Sequence, residues 1–139
     1  MEGKIELIFV PVTDVDRAIE FYVEKVGFTL DMQARVDENL RFVQVTPPTS
    51  ACSIAFGDGI TDMTPGTQNS IQVVVPDAEA ARQELLGRGV EASEVETLAW
   101  GSFTSFSDPD GNTWTLQQLP PRGSYDDDSD GLRPSPGPW

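Results

Sequence analysis

The spacing of hydrophobic residues changes along the first half of the chain from alternation to helical periodicity and back. Residues 5–12 are rich in β-branched and aromatic side chains, which predicts a strand. Residues 15–25 carry apolar side chains at helical spacing behind Asp14, a predicted N-cap, and Gly27 is expected to end that helix. Three extended segments follow, at residues 28–36, 40–46 and 51–56.

The second half of the chain repeats this pattern. A strand is predicted at residues 70–75 and a helix at 78–86, with Asp77 as its N-cap. The segments VPVTDVDRA from Val10 and VVVPDAEAA from Val73 align without a gap, which indicates an internal repeat. Further extended segments are predicted at residues 90–95, 103–106 and 113–118. We therefore expect two βαβββ modules, in which a helix covers one face of each sheet and the other face curves around a partner module or a ligand.

The most sharply specified turn of the chain lies at residues 108–112, with the sequence DPDGN. Pro109 fixes φ at the second turn position, while Gly111 and Asn112 tolerate the positive φ that ends such a turn. Strand-forming residues flank the turn on both sides, so a β-hairpin is expected. We assign both acids of this segment to the geometry of the turn and not to general-base catalysis.

The composition is strongly acidic and lacks histidine: 9 Lys and Arg stand against 23 Asp and Glu, for a formal net charge of −14. This balance argues against nucleic acids and anionic membranes as partners, because both are bound through basic side chains. Without histidine the chain has no Ser-His or Cys-His dyad and no His-ligated metal. Cys52, the single cysteine, is predicted to be a buried packing residue. The lack of a signal-peptide pattern predicts a cytoplasmic protein.

Three segments together resemble the vicinal oxygen chelate superfamily, which includes glyoxalase I, bleomycin resistance proteins and extradiol dioxygenases. They are VTDVDRAIEFYVEKVGF at residues 12–28, VVVPDAEAARQELLGRGV at 73–90 and WGSFTSFSDPDGNTWTL at 100–116. The resemblance implies an α+β fold in which two βαβββ modules form a curved mixed sheet around a cavity. It also implies a homodimer, since proteins of this fold complete their cavities by pairing modules within or between chains.

The resemblance covers roughly residues 4–119, so we expect residues 1–119 to be a single domain of this superfamily. Its first module is placed at residues 4–58 and its second at 69–119. Residues 120–139 are rich in Pro, Gly, Ser and Asp and show no periodicity, which predicts a disordered acidic tail.

The resemblance also locates the positions at which metal-dependent members hold their metal. Here these positions carry Leu7, Ser70 and Thr115, with Gln44 at a further position that some members use. Leucine has no ligand atom, and neutral hydroxyl groups are weak ligands for a hard cation. We therefore expect no metal and no other cofactor.

Strand alternation gives a set of side chains that are expected to share the cavity face with Leu7. Trp100 joins them from a loop, as a candidate for stacking on a planar ligand. The predicted ligand-binding residues are Leu7, Phe9, Phe42, Gln44, Ser70, Gln72, Trp100, Thr113, Thr115 and Gln117. Trp114 is expected to be a core residue. Apolar walls with a few hydroxyl and amide groups are typical of a small-molecule pocket.

The leading hypothesis is a metal-free protein that binds a small apolar or planar organic molecule, as drug-sequestering resistance proteins do. One alternative is a glyoxalase-like lyase, isomerase or cyclase that acts on a small metabolite without a His-ligated metal, with Gln44 or Gln72 stabilising charge. A second is a metal enzyme with an unusual site built from Gln44 with Glu6 or a loop acid. A structural or regulatory role is the third. The sequence identifies no catalytic residue.

Overall fold

A computed structural model of the protein describes residues 1–121, so most of the predicted tail, residues 122–139, lies outside the described residues. The first module begins with one strand and one helix, and the helix continues as a π-helical segment, Glu20–Lys25. The elements of the module are β1 (Leu7–Phe9), α1 (Val15–Ile19), β2 (Thr29–Asp37), β3 (Leu40–Thr46) and β4 (Ser53–Asp58).

The second module has the same order of elements, which confirms the internal repeat. Its elements are β5 (Ile71–Val74), α2 (Ala78–Gly87), β6 (Glu96–Leu98), β7 (Gly101–Ser107) and β8 (Thr113–Gln118). Each module forms a four-stranded mixed sheet, with strand orders β1-β4-β3-β2 and β5-β8-β7-β6. In both sheets the first and last strands of the module pair in parallel, and the other pairs are antiparallel. The predicted α+β fold class is confirmed.

Both helices begin at the aspartates that the sequence predicts. Asp14 has extended backbone angles, and its side chain accepts a hydrogen bond from the amide of Arg17 at 3.0 Å. Asp77 caps α2 in the same way, through the amide of Ala80 at 2.9 Å. A carboxylate at this position satisfies a free amide and interacts favourably with the helix dipole.

The core lies between the helices and the sheets and continues from one module into the other. The alternate residues of the strands point into it, as period-2 patterning requires. Trp114 is only 1% exposed, and it packs against Tyr22 and Phe28 of the first module and Phe106 of its own. The prediction that Trp114 belongs to the core is therefore confirmed.

Two sequence-based expectations are wrong in detail. Residues 90–95 form no strand; the segment is tied to β7 through Ser93, whose carbonyl accepts the Thr104 hydroxyl, and β6 starts only at Glu96. Cys52 precedes β4 and is half-buried instead of buried. Strand starts and helix edges depend on tertiary contacts that periodicity does not report.

The two helices of the described part of the chain are both short. Neither is long and apolar enough to cross a lipid bilayer.

Candidate functional site

The first sheet keeps one face turned away from the core, which we call the first open face. Phe9 and Gln44 both pair with Ala55 across β4, so their side chains emerge on this face. Leu7 and Phe42 join them by alternation along their strands. Phe9 is 37% exposed, and Met32, which pairs with Gln44, is 48% exposed. Four of the predicted ligand-binding residues are therefore brought together on one apolar surface.

A polar cluster lies on the first open face beside these apolar side chains. It consists of Asp31, Gln44, Thr46 and Ser53. The Thr46 hydroxyl donates to Asp31 and lies 2.6 Å from the Ser53 hydroxyl. The Gln44 amide nitrogen lies 3.3 Å from Ser53 Oγ and 3.5 Å from Asp31 Oδ2. The carboxylate next to Gln44 is thus Asp31 and not Glu6.

Sequence reasoning missed Asp31 because a β-bulge determines its position. The pairing of β2 with β3 shifts register between Leu30 and Met32, so Asp31 is the extra residue of β2. Such a bulge redirects a side chain and is common near functional sites. The only sequence signal is a single acid between two apolar residues in a strand, and this signal does not fix the bulge.

The second sheet has an equivalent face, the second open face, which carries the other strand residues of the predicted set. Gln72 pairs with Thr115 and donates its amide hydrogen to Gln117 Oε1 at 2.6 Å. Gln117 in turn donates to the backbone carbonyl of Trp100 at 3.0 Å. Thr113 lies on the same strand as Thr115 and Gln117 and shares their face. Trp100 is 53% exposed in the loop before β7.

Ser70 differs from the rest of the predicted set. It lies just before β5 and adopts φ = 57°, in the left-handed region. Its hydroxyl donates to Asn69 Oδ1 at 3.3 Å, and its amide donates to the Thr113 hydroxyl at 2.7 Å. These bonds occupy Ser70 in the turn that enters the strand.

The DPDGN turn of the second module is bonded to the first module. Asp108 is 5% exposed and accepts from the Tyr22 hydroxyl at 2.7 Å, while Asn112 donates to the carbonyl of Pro11 at 2.8 Å. Burial, and then the nearby Asp108 carboxylate, raise the pKa of Tyr22 far above its usual range, so the phenol stays protonated. The acids of this turn hold structure, in agreement with the sequence-based assignment.

Two clefts lie at the junction of the modules. One, of about 430 Å³, is bordered by the β3–β4 connection of the first module and by the β5–α2 connection of the second. The other, of about 680 Å³, lies between the π-helical segment, residues 89–93 ahead of β6, and the end of β7 with the start of the DPDGN turn. Apart from Val74, Ser105 and Ser107, the lining residues of both clefts lie outside the strand positions that form the two open faces.

The residues at the superfamily's metal positions do not fit a metal. Leu7 has no donor atom, the Ser70 hydroxyl is bonded to Asn69, and Thr115 lies 3.4 Å from the Ser105 hydroxyl. Within residues 1–121 no three His, Cys, Asp or Glu side chains are grouped so that they could hold a metal ion. Zinc and iron sites in proteins require such nitrogen, sulfur or carboxylate ligands.

The half-buried thiol of Cys52 is poorly suited to nucleophilic chemistry. Burial, and secondarily the charge of Glu6, raise its pKa above the usual value, which lowers the fraction of reactive thiolate at neutral pH.

Comparison with known proteins agrees with this architecture. An antibiotic binding protein from Streptomyces sp. CB03234, TnmS3, superposes with a TM-score of 0.79 at 34% identity, covering 86% of this chain and 98% of that chain. A glyoxalase/bleomycin resistance protein from the same organism superposes with a TM-score of 0.75 at 35% identity, covering 83% of this chain and 100% of that chain. A member of the glyoxalase/bleomycin resistance protein/dioxygenase superfamily from Sphaerobacter thermophilus DSM 20745 superposes with a TM-score of 0.75 at 31% identity. It covers 84% of this chain and 98% of that chain.

The match to the family extends over both modules. The family model described as Glyoxalase/Bleomycin resistance protein/Dioxygenase superfamily matches residues 4–116, from before β1 into β8. The chain therefore belongs to the glyoxalase/bleomycin resistance protein/dioxygenase superfamily.

Proposed function

We propose that this protein binds and sequesters a small apolar or planar organic molecule, such as an antibiotic or a related metabolite, without a metal. The observation that carries the proposal is the first open face, which Leu7, Phe9 and Phe42 share with the amide of Gln44. Apolar walls with a few orienting polar groups are the usual composition of a small-molecule site. The likeness to an antibiotic binding protein at 34% identity supports the same reading.

We further propose that the protein acts as a cytoplasmic homodimer. Each open face is a single sheet surface, and on the first of them residues 1–121 leave Phe9 and Met32 partly exposed. Pairing the first open face of one chain with the second open face of its partner would enclose a ligand between apolar and amide-bearing walls. The predicted residues of both sheets would then contribute to one site.

The metal-free part of the proposal rests on the donor set. None of the groups at the superfamily's ligand positions is a histidine or a carboxylate. Retention of the ligand therefore depends on burial of apolar surface and on hydrogen bonds to neutral amides and hydroxyls, with Asp31 as the added charge.

The test is a thermal-unfolding screen with acridone, a neutral planar compound, and with 9-aminoacridine, its cationic counterpart. A ligand that binds only the folded protein raises the unfolding temperature. At a concentration of 100 times its Kd, it increases the free energy of unfolding by about 2.7 kcal/mol. Binding of either compound, unaffected by EDTA, supports the proposal. The absence of any shift with both compounds would overturn it.

Two further measurements check the dimer and the metal. Sedimentation velocity should give twice the chain mass, and a monomer at micromolar concentration would contradict the dimer. Elemental analysis of protein purified without chelator should find no stoichiometric divalent metal; a full equivalent whose removal abolishes binding would contradict the metal-free reading.

A further inference from the structure

We propose that the polar cluster of Asp31, Gln44, Thr46 and Ser53 on the first open face recognises a cationic nitrogen of the ligand. The ligand class is then an apolar or planar organic compound that carries a protonated amine or amidine. This inference rests on the proposed function and adds to it the charge of the ligand.

Every hydrogen-bond donor of the cluster is directed at another member of the cluster. Thr46 donates its only hydroxyl proton to Asp31, so the short contact of 2.6 Å between Thr46 and Ser53 is a bond donated by Ser53. The Gln44 amide group is placed to direct its two N–H bonds to Ser53 at 3.3 Å and to Asp31 at 3.5 Å. Two hydroxyls supply one proton each and an amide supplies two, so all four donors of the cluster are used internally.

Only acceptors then remain for a ligand. Asp31 Oδ1 and Gln44 Oε1 receive no hydrogen bond from residues 1–121. A group that offers only acceptors, one of them on a carboxylate, selects a ligand that donates, and it does so most strongly when the donor is charged. A carboxylate or phosphate on the ligand would face repulsion at the same place.

Within residues 1–121 no basic side chain forms an ion pair with the Asp31 carboxylate. The ion pairs of the described residues are five, and none of them includes Asp31. The arginines of β2 and β3 pair elsewhere, Arg35 with Asp58 and Arg41 with Asp16. The Asp31 carboxylate is therefore left without a cationic partner among residues 1–121, and a ligand cation can pair with it on the first open face.

The surroundings of the cluster fit the rest of such a ligand. Phe9, Phe42 and Met32 share the face with Gln44 and offer aromatic and thioether surface to a planar ring system. Aromatic faces also attract a delocalised cation. The formal charge of −14 draws cations toward the whole protein, but it does not by itself choose a binding place.

The experiment compares two ring-matched probes on two charge-matched variants. Fluorescence titration measures the Kd of 9-aminoacridine, a cation at neutral pH, and of neutral acridone. In Asp31→Asn the charge is lost from the exposed end of β2, and in Glu24→Gln an equal charge is lost from the exposed surface of the π-helical segment. Both sites are exposed, so both variants should fold, and circular dichroism checks this.

We expect the wild-type protein to prefer 9-aminoacridine, and Asp31→Asn to weaken that affinity about tenfold. Acridone binding should stay unchanged in this variant, and Glu24→Gln should bind both probes as the wild type does. Equal weakening by both variants would overturn the inference, since it would trace the preference to net charge. Equal binding of both probes, unchanged by Asp31→Asn, would overturn the inference but leave the proposed function intact. If neither probe binds, both this inference and the proposed function are wrong.

Discussion

The hydroxyl of Tyr22, in the first module, donates a 2.7 Å hydrogen bond to Oδ2 of Asp108, in the second. The same hydroxyl accepts from the indole nitrogen of Trp114 at 3.0 Å. Asp108 also accepts from the amides of Asp110 and Asn112 and from the Asn112 side chain. One buried carboxylate thus holds the DPDGN turn together and joins it to the other module.

Removing either partner of this bond should destabilise the protein unequally. Tyr22→Phe leaves the Trp114 N–H without an acceptor and should cost about 1–2 kcal/mol. Asp108→Asn removes an acceptor oxygen that serves two buried donors, and should cost about 3 kcal/mol. Urea unfolding measures both, with Asp62→Asn in an exposed loop as the charge-matched control. If Asp108→Asn lowers the free energy of unfolding no more than the control does, the hydrogen bond between Tyr22 and Asp108 does not stabilise the fold.

Stability should also fall at high pH because of Tyr22. Burial and Asp108 raise the pKa of this phenol above its ordinary value of 10.0 in the folded state. Below pH 10 the phenol is protonated in both states and its contribution to stability is complete. Above it the unfolded chain loses the proton while the folded chain keeps it, so the free energy of unfolding falls by about 1.4 kcal/mol per pH unit.

The measurement is urea unfolding at a series of pH values from neutral to alkaline, with Tyr22→Phe as the reference that lacks the phenol. The difference in slope between the two proteins isolates Tyr22 from every other group that titrates there. Parallel curves would contradict the assignment.

A glycine in β4 should be intolerant of any side chain. Gly57 pairs with Phe42 of β3, and an added Cβ would clash with the backbone carbonyl oxygen of Arg41, which cannot rotate away. Gly57→Ala should therefore cost about 2 kcal/mol or more in unfolding experiments. Gly87, the last residue of α2, has open space around it, so Gly87→Ala should be neutral or stabilise by up to about 1 kcal/mol. Equal effects of the two substitutions would contradict the register of β3 and β4.

The apolar surface of the first open face should contribute to ligand affinity. Phe9→Ala removes an aromatic ring from that face and should weaken acridone binding about tenfold, because less apolar surface is buried in the complex. Leu86→Ala on α2 is the matched control, since Leu86 is 39% exposed and Phe9 is 37% exposed. Isothermal titration calorimetry compares the two. If both variants bind as the wild type does, the ligand lies elsewhere.

Most of the fold followed from the sequence because local signals agreed with one another. Asp14 and Asp77 cap their helices as predicted, and the bounds of β3 and β8 are those that the alternation predicted. The β6 strand was displaced because its pairing is set by β7 and not by its own composition. The π-helical continuation of α1 has no local signal, and it places the adjacent Phe21 and Tyr22 in the core together.

The candidate site was predictable only where strand alternation holds. It placed Leu7, Phe9, Phe42 and Gln44 on one face, and whether they bind a ligand stays a prediction. The position of Asp31 in the site was not predicted because a bulge breaks the alternation in β2. A bulge is fixed by the cross-strand register, which the sequence does not show.

The two modules are joined by buried hydrogen bonds at one connection and are separated by a cleft at the equivalent connection. At one end the DPDGN turn of the second module is bonded to the first through Tyr22 and Pro11 in the buried interior. At the other end the corresponding connection of the first module, residues 47–49, borders the cleft of about 430 Å³ with residues 73–76 of the second. Separation of the two modules would therefore break buried hydrogen bonds at the DPDGN turn, whereas residues 47–49 meet the second module across a cleft.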